Sequence, residues 1–264
     1  MSYDQPAPIL LTRQGPVARL TFNRPRAMNA LTGEMMALLD GHLTEIENDP
    51  ELRVVVLTGA GNAFCAGVDL TSLGENKRPS EATAAFMAIA VPVSERLARL
   101  PKPTIAAVNG LALAGGLEMA LNCDLVVAAS TARFGDAHAN FGLIPGGGSS
   151  VKLPRRIGVA LAKYLVFSGT FADAETMRAA GLVLRVVEPG ELEAEAQRLA
   201  LELAEKSPLG LARSKWLIDT GLEMSEREAI AQEAALAIEH ADSRDAAEGL
   251  AAFAAKRQPS FTGH

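Results

Sequence analysis

The fold is decided by PKPTIAAVNGLALAGGLEMALNCDLVVAAS, which spans residues 101–130. Within it, Thr104–Val108 is a short apolar run closed by Asn109-Gly110, a pattern that predicts a buried strand ending in a turn. Gly115-Gly116 then opens a second apolar run, residues 117–121, which predicts a short helix. A strand, a glycine-rich turn and a helix start leave backbone N–H groups free to face a ligand.

Glu118 lies just inside this predicted helix, between Leu117 and Met119. A carboxylate flanked by apolar residues at a helix N-terminus is a candidate acid or base. The alternative is a solvated first-turn glutamate that only stabilises the helix dipole. The residues of this stretch leave both interpretations open.

Length and composition exclude several classes of protein. The 264 residues are 48% hydrophobic, which is enough for a sizeable core. A net charge of −6 gives no electrostatic basis for nucleic-acid binding, and the few aromatic residues (one Trp, two Tyr, nine Phe) argue against base stacking. We therefore expect no nucleic-acid partner.

The two cysteines and the N-terminal sequence bear on compartment. Cys65 and Cys123 lack metal-ligand spacing, so we expect neither a metal site nor a disulfide framework, and a reducing compartment is the default. The N-terminal MSYDQPAPILL has no basic region followed by a long apolar stretch, and no apolar run reaches the ~18 residues of a membrane span. These features predict a cytoplasmic protein without a membrane partner.

Strands and helices are predicted to alternate along the first 190 residues. Residues 9–12 and Val17–Phe22 flank a Gln-Gly-Pro turn and predict a hairpin, and Thr32 is a candidate N-cap for a helix that runs to about Asn48. The order strand, helix, strand, helix, strand indicates an α/β layered domain. Further strands are predicted at residues 54–58, 125–129 and 183–187, further helices at 81–100 (disturbed at Pro92), 159–167 and 173–180, and loops at 59–70, 74–80 and 136–150.

The composition shifts to Ala, Leu and Glu from Gly190 onward. Helices are predicted at residues 191–206, 208–219, 225–240 and 243–256. Helices of this kind either cover another subunit or pack on the chain's own sheet, and the sequence leaves both possibilities open. We divide the chain into a core, residues 1–205, and a helical segment, residues 206–264.

Two glycine-rich turns follow two predicted buried strands. One is Ala66-Gly67-Val68-Asp69 and the other is Ala114-Gly115-Gly116. If the strands are neighbours, two backbone N–H groups can point at one spot and stabilise the oxygen of a thioester as it becomes an enolate. Nucleotide binding is not favoured, because residues 110–115 do not fit G-x-G-x-x-G and the chain has no G-x-x-x-x-G-K-[ST] motif.

The sequence resembles the crotonase superfamily, which includes enoyl-CoA hydratases and isomerases. The resemblance covers nearly the whole chain, and its markers occur in order and at family-like spacing. They are NRPRAMNAL (23–31), AFCAGVDL (63–70), KPTIAAVNGLALAGGLEMALNCDLVVA (102–128), RFGDAHANFGLIPGGG (133–148) and LPRRIG (153–158).

The resemblance implies a fold, an assembly and a substrate. The fold is a spiral of ββα units followed by a helical trimerisation segment, and the assembly is a homotrimer or a dimer of trimers. The substrate is an acyl-CoA thioester, and no cofactor is expected because coenzyme A is part of that substrate. By motif position, the oxyanion donors are the N–H groups of Val68 and Gly115. The residues implied for CoA binding are Ala66 at the adenine, Arg26 with Ala27 and Met28, and Phe253 and Lys256, the last two often reaching the CoA from a neighbouring subunit.

The catalytic residues depart from the family pattern. Hydratases of the family hold one water between two glutamates twenty positions apart; Glu118 is the first, but His138 stands at the second position. Histidine can act as an acid or base near neutral pH, and Asp136 is the nearest spare carboxylate. The alternative for His138 is a loop residue without a role.

The leading hypothesis is therefore an enoyl-CoA hydratase, a lyase that adds water syn to a 2-enoyl-CoA with Glu118 and His138 as acid and base. A second hypothesis is an enoyl-CoA isomerase, or another crotonase reaction, that uses one carboxylate base. A third is an acyl-CoA binding protein without catalysis.

Overall fold

Strands and α-helices alternate through the first two thirds of the chain, and helices form the rest. The computed structural model describes residues 7–73 and 78–264. In chain order, these residues form β1 (Ile9–Gln14), β2 (Val17–Phe22), α1 (Gly33–Asn48), β3 (Val54–Gly59), β4 (Ala63–Cys65), α2 (Pro79–Ala98), β5 (Thr104–Val108), β6 (Leu111–Leu113), α3 (Gly115–Leu121), β7 (Leu125–Ala129), β8 (Arg133–Gly135), α4 (Ser149–Ile157), α5 (Val159–Ser168), β9 (Ala172–Asp173), α6 (Ala174–Ala179), β10 (Arg185–Val187), α7 (Leu192–Ala204), α8 (Pro208–Gly221), α9 (Glu226–Ala241) and α10 (Arg244–Ala255).

The described strands belong to two sheets. The larger sheet has the order β1-β2-β3-β5-β7-β10, in which β1 and β2 form the predicted antiparallel hairpin and the other neighbours are parallel. The smaller sheet has the order β4-β6-β8-β9, with β9 antiparallel to β8. The predicted α/β class is confirmed.

A unit of two strands and a helix recurs three times, as β3-β4-α2, β5-β6-α3 and β7-β8-α4. In each unit the first strand joins the larger sheet and the second joins the smaller one. Equivalent strands of successive units are hydrogen-bonded neighbours, so each unit is displaced by one strand from the last. This arrangement is the ββα spiral that the resemblance implies.

Both faces of the larger sheet are buried, which explains why its central strands are continuously apolar. On β3, Val55 and Leu57 face the main core that α1, α2 and the smaller sheet enclose. Val54 and Val56 face the opposite side, where α7 packs with Ala196 and other apolar side chains. The turn between β3 and β4 is held by Asn109, whose side chain donates to the Gly61 carbonyl oxygen at 2.8 Å.

Several short elements were not predicted. Within the predicted 59–70 loop lies β4, and β6 separates the predicted strand at 104–108 from the helix of Glu118; β8 and β9 were also missed. Strands of two or three residues are too short to display a period of two, so tertiary pairing alone defines them. The helix α4 begins at Ser149, inside the stretch predicted as a 136–150 loop.

The helix predicted at 81–100 is α2, which begins earlier, at Pro79, and continues through Pro92. Of the loop predicted at 74–80, residues 74–77 lie outside the described residues, as do residues 1–6 of the N-terminal stretch. Within the described ranges, no helix is both long and apolar enough to cross a bilayer.

Candidate active site

Two pairs of neighbouring parallel strands bring the glycine-rich turns together. β3 lies beside β5, as the hypothesis required, and β4 lies beside β6. A Cβ built on Gly115 would lie 3.6 Å from the Val68 nitrogen, so the two backbones approach closely. Within residues 7–73 and 78–264, neither the Val68 N–H nor the Gly115 N–H donates to a protein acceptor. These two donors are therefore available to a ligand.

The backbone of these two turns has conformations and close approaches that few residue types tolerate. Gly67 has φ +105°, and a Cβ at Gly116 would lie 2.0 Å from the Cys65 carbonyl oxygen, so the approach requires glycine. Ala114 has φ 48° and ψ −119°, a sparsely populated conformation for a residue with a side chain. Its N–H donates to the Gly135 carbonyl oxygen at 2.9 Å, which ties the turn to the end of β8.

Glu118 is a buried residue with 7% exposure, so the interpretation of a solvated first-turn glutamate is wrong. Its Oε1 accepts the Gly147 N–H at 2.8 Å and the Ser149 N–H at 3.1 Å. No donor contacts Oε2 in the described part of the chain. A Cβ at Gly147 would lie 2.4 Å from that oxygen, so a larger residue there would displace the carboxylate.

Burial raises the pKa of the Glu118 carboxyl, because the charged form loses its hydration. The N–H groups of Ser149 and Gly147 and the charge of His138 oppose this effect without cancelling it. A carboxylate whose proton affinity is raised is a stronger base than a solvated one.

His138 and Asp136 form a pair at the end of β8. His138 Nδ1 lies 2.9 Å from Asp136 Oδ1, and Asp136 is completely buried. Burial alone would lower the pKa of His138, but the hydrogen bond and charge of Asp136, with the charge of Glu118, outweigh it and raise that pKa. Burial likewise opposes ionisation of Asp136, yet the His138 contact lowers the pKa of this carboxyl.

One narrow pocket of about 340 Å³, including the part open to solvent, connects the oxyanion donors to the base. Val68, Gly115, Glu118 and Gly147 all line it. His138 is not among its lining residues, and its connection to Glu118 is electrostatic. The remaining lining is mainly apolar and includes Leu31, Met36, Phe86, Met87, Ala90 and Met119.

The turn at Arg26 lies against the loop that carries Val68. Ala66 donates its N–H to the Met28 carbonyl oxygen at 3.0 Å, and Met28 has a left-handed φ of 49°. Arg26 is exposed, Ala27 is half-buried, and Arg26 makes no ion pair within the described ranges. The fold therefore brings together two segments that the resemblance implies for CoA binding, the turn at Arg26 and the loop that carries Ala66.

Phe253 and Lys256 lie elsewhere, at the C-terminal end of α10. Phe253 is 85% exposed and Lys256 is the C-cap. In the part of the chain that the structure describes, no hydrogen bond or ion pair joins them to Arg26 or Ala66. The chain by itself does not unite them with the other implied CoA residues.

Sequence reasoning missed the groups that hold Glu118. Gly147 and Ser149 are about thirty residues away from it, and only the glycine run at 146–148 marked this segment as unusual. The apolar pocket residues of α1 and α2 were not singled out from the sequence. No group of three or more His, Cys, Asp or Glu residues suited to a metal ion occurs in the described ranges.

Comparisons with known proteins show the family to which the chain belongs. The family model described as enoyl-CoA hydratase/isomerase matches residues 12–264. The short-chain-enoyl-CoA hydratase of Clostridium acetobutylicum is 38% identical over 251 residues, which cover 95% of each chain. The mitochondrial methylglutaconyl-CoA hydratase of Mus musculus is 36% identical over 249 residues, or 92% of this chain and 79% of that protein.

Solved structures give the same result. The crystal structure of an enoyl-CoA hydratase from Bacillus anthracis has a TM-score of 0.93 and 34% sequence identity, covering 97% of this chain and 100% of that one. An enoyl-CoA hydratase from Polaromonas sp. JS666 has a TM-score of 0.92 and 37% identity, covering 96% and 99%. The chain has the crotonase fold, belongs to the enoyl-CoA hydratase/isomerase family and is an enoyl-CoA hydratase-like enzyme.

Proposed function

We propose that the protein adds water across the 2,3 double bond of a 2-enoyl-CoA thioester, with Glu118 as base and the Val68 and Gly115 N–H groups as oxyanion donors. One observation carries this proposal. A buried carboxylate whose Oε2 has no donor, and two backbone N–H groups without an acceptor within residues 7–73 and 78–264, line the same pocket. A thioester whose oxygen meets the two donors presents its adjacent carbons toward the carboxylate.

Each group has a defined part in the reaction. Glu118 takes a proton from water while the water oxygen bonds to C3, and the electrons of the double bond move onto the thioester as an enolate. Val68 and Gly115 stabilise the enolate oxygen, an effect typically worth several kcal/mol because the donors are already oriented. Transfer of a proton to C2 then completes the addition.

His138 is the proposed source of the proton for C2. Its raised pKa favours the protonated form, which can donate, whereas neutral imidazole can only hold a water or pass a proton. Glu118 leaves the cycle protonated and His138 leaves it neutral, so proton exchange between them or with solvent restores the starting state. Asp136 touches His138 and not the proposed substrate position.

Coenzyme A binding is proposed for the turns that flank the pocket mouth. The Ala66 N–H is already bonded to Met28, while the Ala66 carbonyl oxygen accepts no hydrogen bond within the described residues and is available to an adenine amine. The exposed Arg26 guanidinium makes no ion pair with any described residue and is suited to a phosphate. We assign Phe253 and Lys256 to the CoA site of a neighbouring subunit, consistent with their separation from these turns in one chain.

We also propose that residues 206–264 form the contacts of a homotrimer or a dimer of trimers. Two helices of this segment, α8 and α9, contain no buried residue in the isolated chain. Large apolar side chains on them are exposed, among them Ile218 at 67%, Ile230 at 60% and Ile238 at 75%. An apolar surface of this kind favours association. Light scattering at micromolar concentration should give a mass of three or six chains, and a monomer mass would contradict this assignment.

A double-bond isomerase is the second candidate. It is favoured by the position of His138 outside the lining of the pocket, which leaves Glu118 as the one carboxylate that contacts it. An isomerase needs a single group that removes a proton and returns it to a different carbon.

The two candidates are separated by substrate. Purified protein is assayed for loss of the ultraviolet absorbance of crotonyl-CoA and, in parallel, for conversion of a 3-enoyl-CoA to its conjugated isomer, with a CoA-ester binding titration alongside. Hydration without isomerisation supports the proposal, and isomerisation without hydration supports the second candidate. Binding without turnover across several chain lengths would contradict both and leave a binding protein.

A further inference from the structure

Asp136 is a completely buried acidic residue to which the proposed reaction gives no direct part. Its Oδ1 contacts His138 Nδ1 at 2.9 Å, and its own carbonyl oxygen accepts the His138 N–H at 2.8 Å. Its Oδ2 is buried without a hydrogen-bond partner in the described part of the chain. A buried carboxylate with one side-chain partner depends strongly on that partner for its stability.

We propose that Asp136 is the positioning residue of the proton donor: it fixes His138 as the Nδ1–H form, so that Nε2 is the nitrogen that exchanges protons at the active site. This inference rests on the proposed role of His138. Since Asp136 accepts at Nδ1, that nitrogen keeps its hydrogen throughout, and only Nε2 gains and loses a proton.

The backbone is built for this contact. Asp136 and His138 do not lie in a continuous strand, because Ala137 between them has a left-handed φ of 60°. Asn140 Nδ2 donates to the Gly169 carbonyl oxygen at 2.9 Å and holds the far side of the same turn. An unfavourable conformation for alanine is thus maintained by the surrounding contacts.

Ser149 connects this pair to the base. Its N–H donates to Glu118 Oε1, and its buried hydroxyl lies near Asp136, where it favours the ionised carboxyl although its geometry falls short of a hydrogen bond. Ser149 is therefore bonded to Glu118 through its N–H and acts on Asp136 through its hydroxyl. A change at Asp136 is expected to reach the proton-transfer groups and not the oxyanion donors.

The charged groups that act on His138 are Asp136 on its own loop and Glu118 on α3. The helix packed against this turn is α5, whose titratable residues Lys163 and Tyr164 are exposed and make no hydrogen bond or ion pair with His138. Both neighbours that do act are acidic. Each favours the imidazolium, but only Asp136 bonds to it directly.

The most direct test is nitrogen NMR of the ¹⁵N-histidine-labelled protein across pH. The chain has four histidines, and His138→Gln identifies the signal of interest. We expect a neutral His138 with hydrogen on Nδ1 in the wild-type protein. In Asp136→Asn the pH of half-titration should fall by ~1 to 3. A wild-type His138 with hydrogen on Nε2, or an Asp136→Asn variant with an unchanged titration, would overturn the proposal.

Kinetics supply the second readout. Asp136→Asn should lower kcat at least ~10-fold with little change in KM, and in the His138→Gln background the same substitution should have almost no further effect. An equal loss in both backgrounds would mean a structural role and would contradict the proposal. Asp173→Asn, at the exposed N-cap of α6, is the matched control and should change neither readout. The NMR result does not require turnover, so failure of the proposed reaction is distinguishable from failure of this inference.

Discussion

The proposed oxyanion donors, Val68 and Gly115, offer backbone N–H groups whose positions follow from two pairs of adjacent parallel strands. The proposed base and acid, Glu118 and His138, offer side chains that are held by contacts from loop residues. The positions of the two N–H groups are fixed by the same hydrogen bonds that form the sheets. The positions of the Glu118 and His138 side chains depend instead on individual contacts from Asp136, Gly147 and Ser149. Substitutions can therefore alter proton transfer while leaving the fold and the oxyanion donors in place.

Among the substitutions that affect proton transfer, Glu118→Gln should lower kcat the most. Gln keeps the size and an acceptor for the Gly147 and Ser149 N–H groups but cannot remove a proton, so kcat should fall ~10²-fold or more. CoA-ester affinity, measured by titration, should remain within a few-fold of wild type. Wild-type turnover in this variant would remove Glu118 from the mechanism.

The same variant should be at least as stable as the wild type near neutral pH. Because burial raises the pKa of Glu118, its ionised form destabilises the fold as pH rises above the ordinary carboxyl value. Gln lacks that charge, so its Tm should be equal or higher at pH 7, and the difference should vanish below about pH 4, where both side chains are neutral. A lower Tm at pH 7 would show that the carboxylate stabilises this site.

Gly147→Ala should lower activity by a smaller factor, ~10-fold or more, because its Cβ would meet Glu118 Oε2 and displace the carboxylate. The matched control is Gly41→Ala at an exposed position of α1, where an added Cβ meets nothing within 4 Å. That control should keep full activity and gain up to ~1 kcal/mol of stability. Equal activities in the two variants would contradict the placement of Glu118.

Much of the arrangement of the two glycine-rich turns could be predicted from the sequence. Little of the arrangement around the Glu118 and His138 side chains could be. The apolar run at Thr104–Val108 predicts a strand, which is observed, and the two glycine turns lie close together as the strand pairing predicts. The contact between Asp136 and His138 requires a left-handed Ala137, a conformation that alanine does not favour and that no local pattern indicates. Likewise, the two donors to Glu118 come from another part of the chain, so only tertiary structure reveals them.

His138→Glu tests whether the loop is adapted to histidine. A glutamate there faces the buried carboxylate of Asp136, and two like charges in contact are disfavoured, so activity should fall several-fold or more. Adding Asp136→Asn removes one charge and should recover part of the loss. If the double variant is no better than His138→Glu alone, repulsion by Asp136 is not the cause.

The pH dependence of kcat for crotonyl-CoA hydration, in wild type and in His138→Ala, tests the central claim that Glu118 and His138 share the proton transfers. Because Asp136 raises the pKa of His138, the donor is protonated below that value, and the wild-type rate should be highest there and fall as pH rises through it. His138→Ala should lower the rate by ~10- to 10⁴-fold and lose that limb of the profile. A His138→Ala variant that retains the wild-type rate and pH profile would contradict the account.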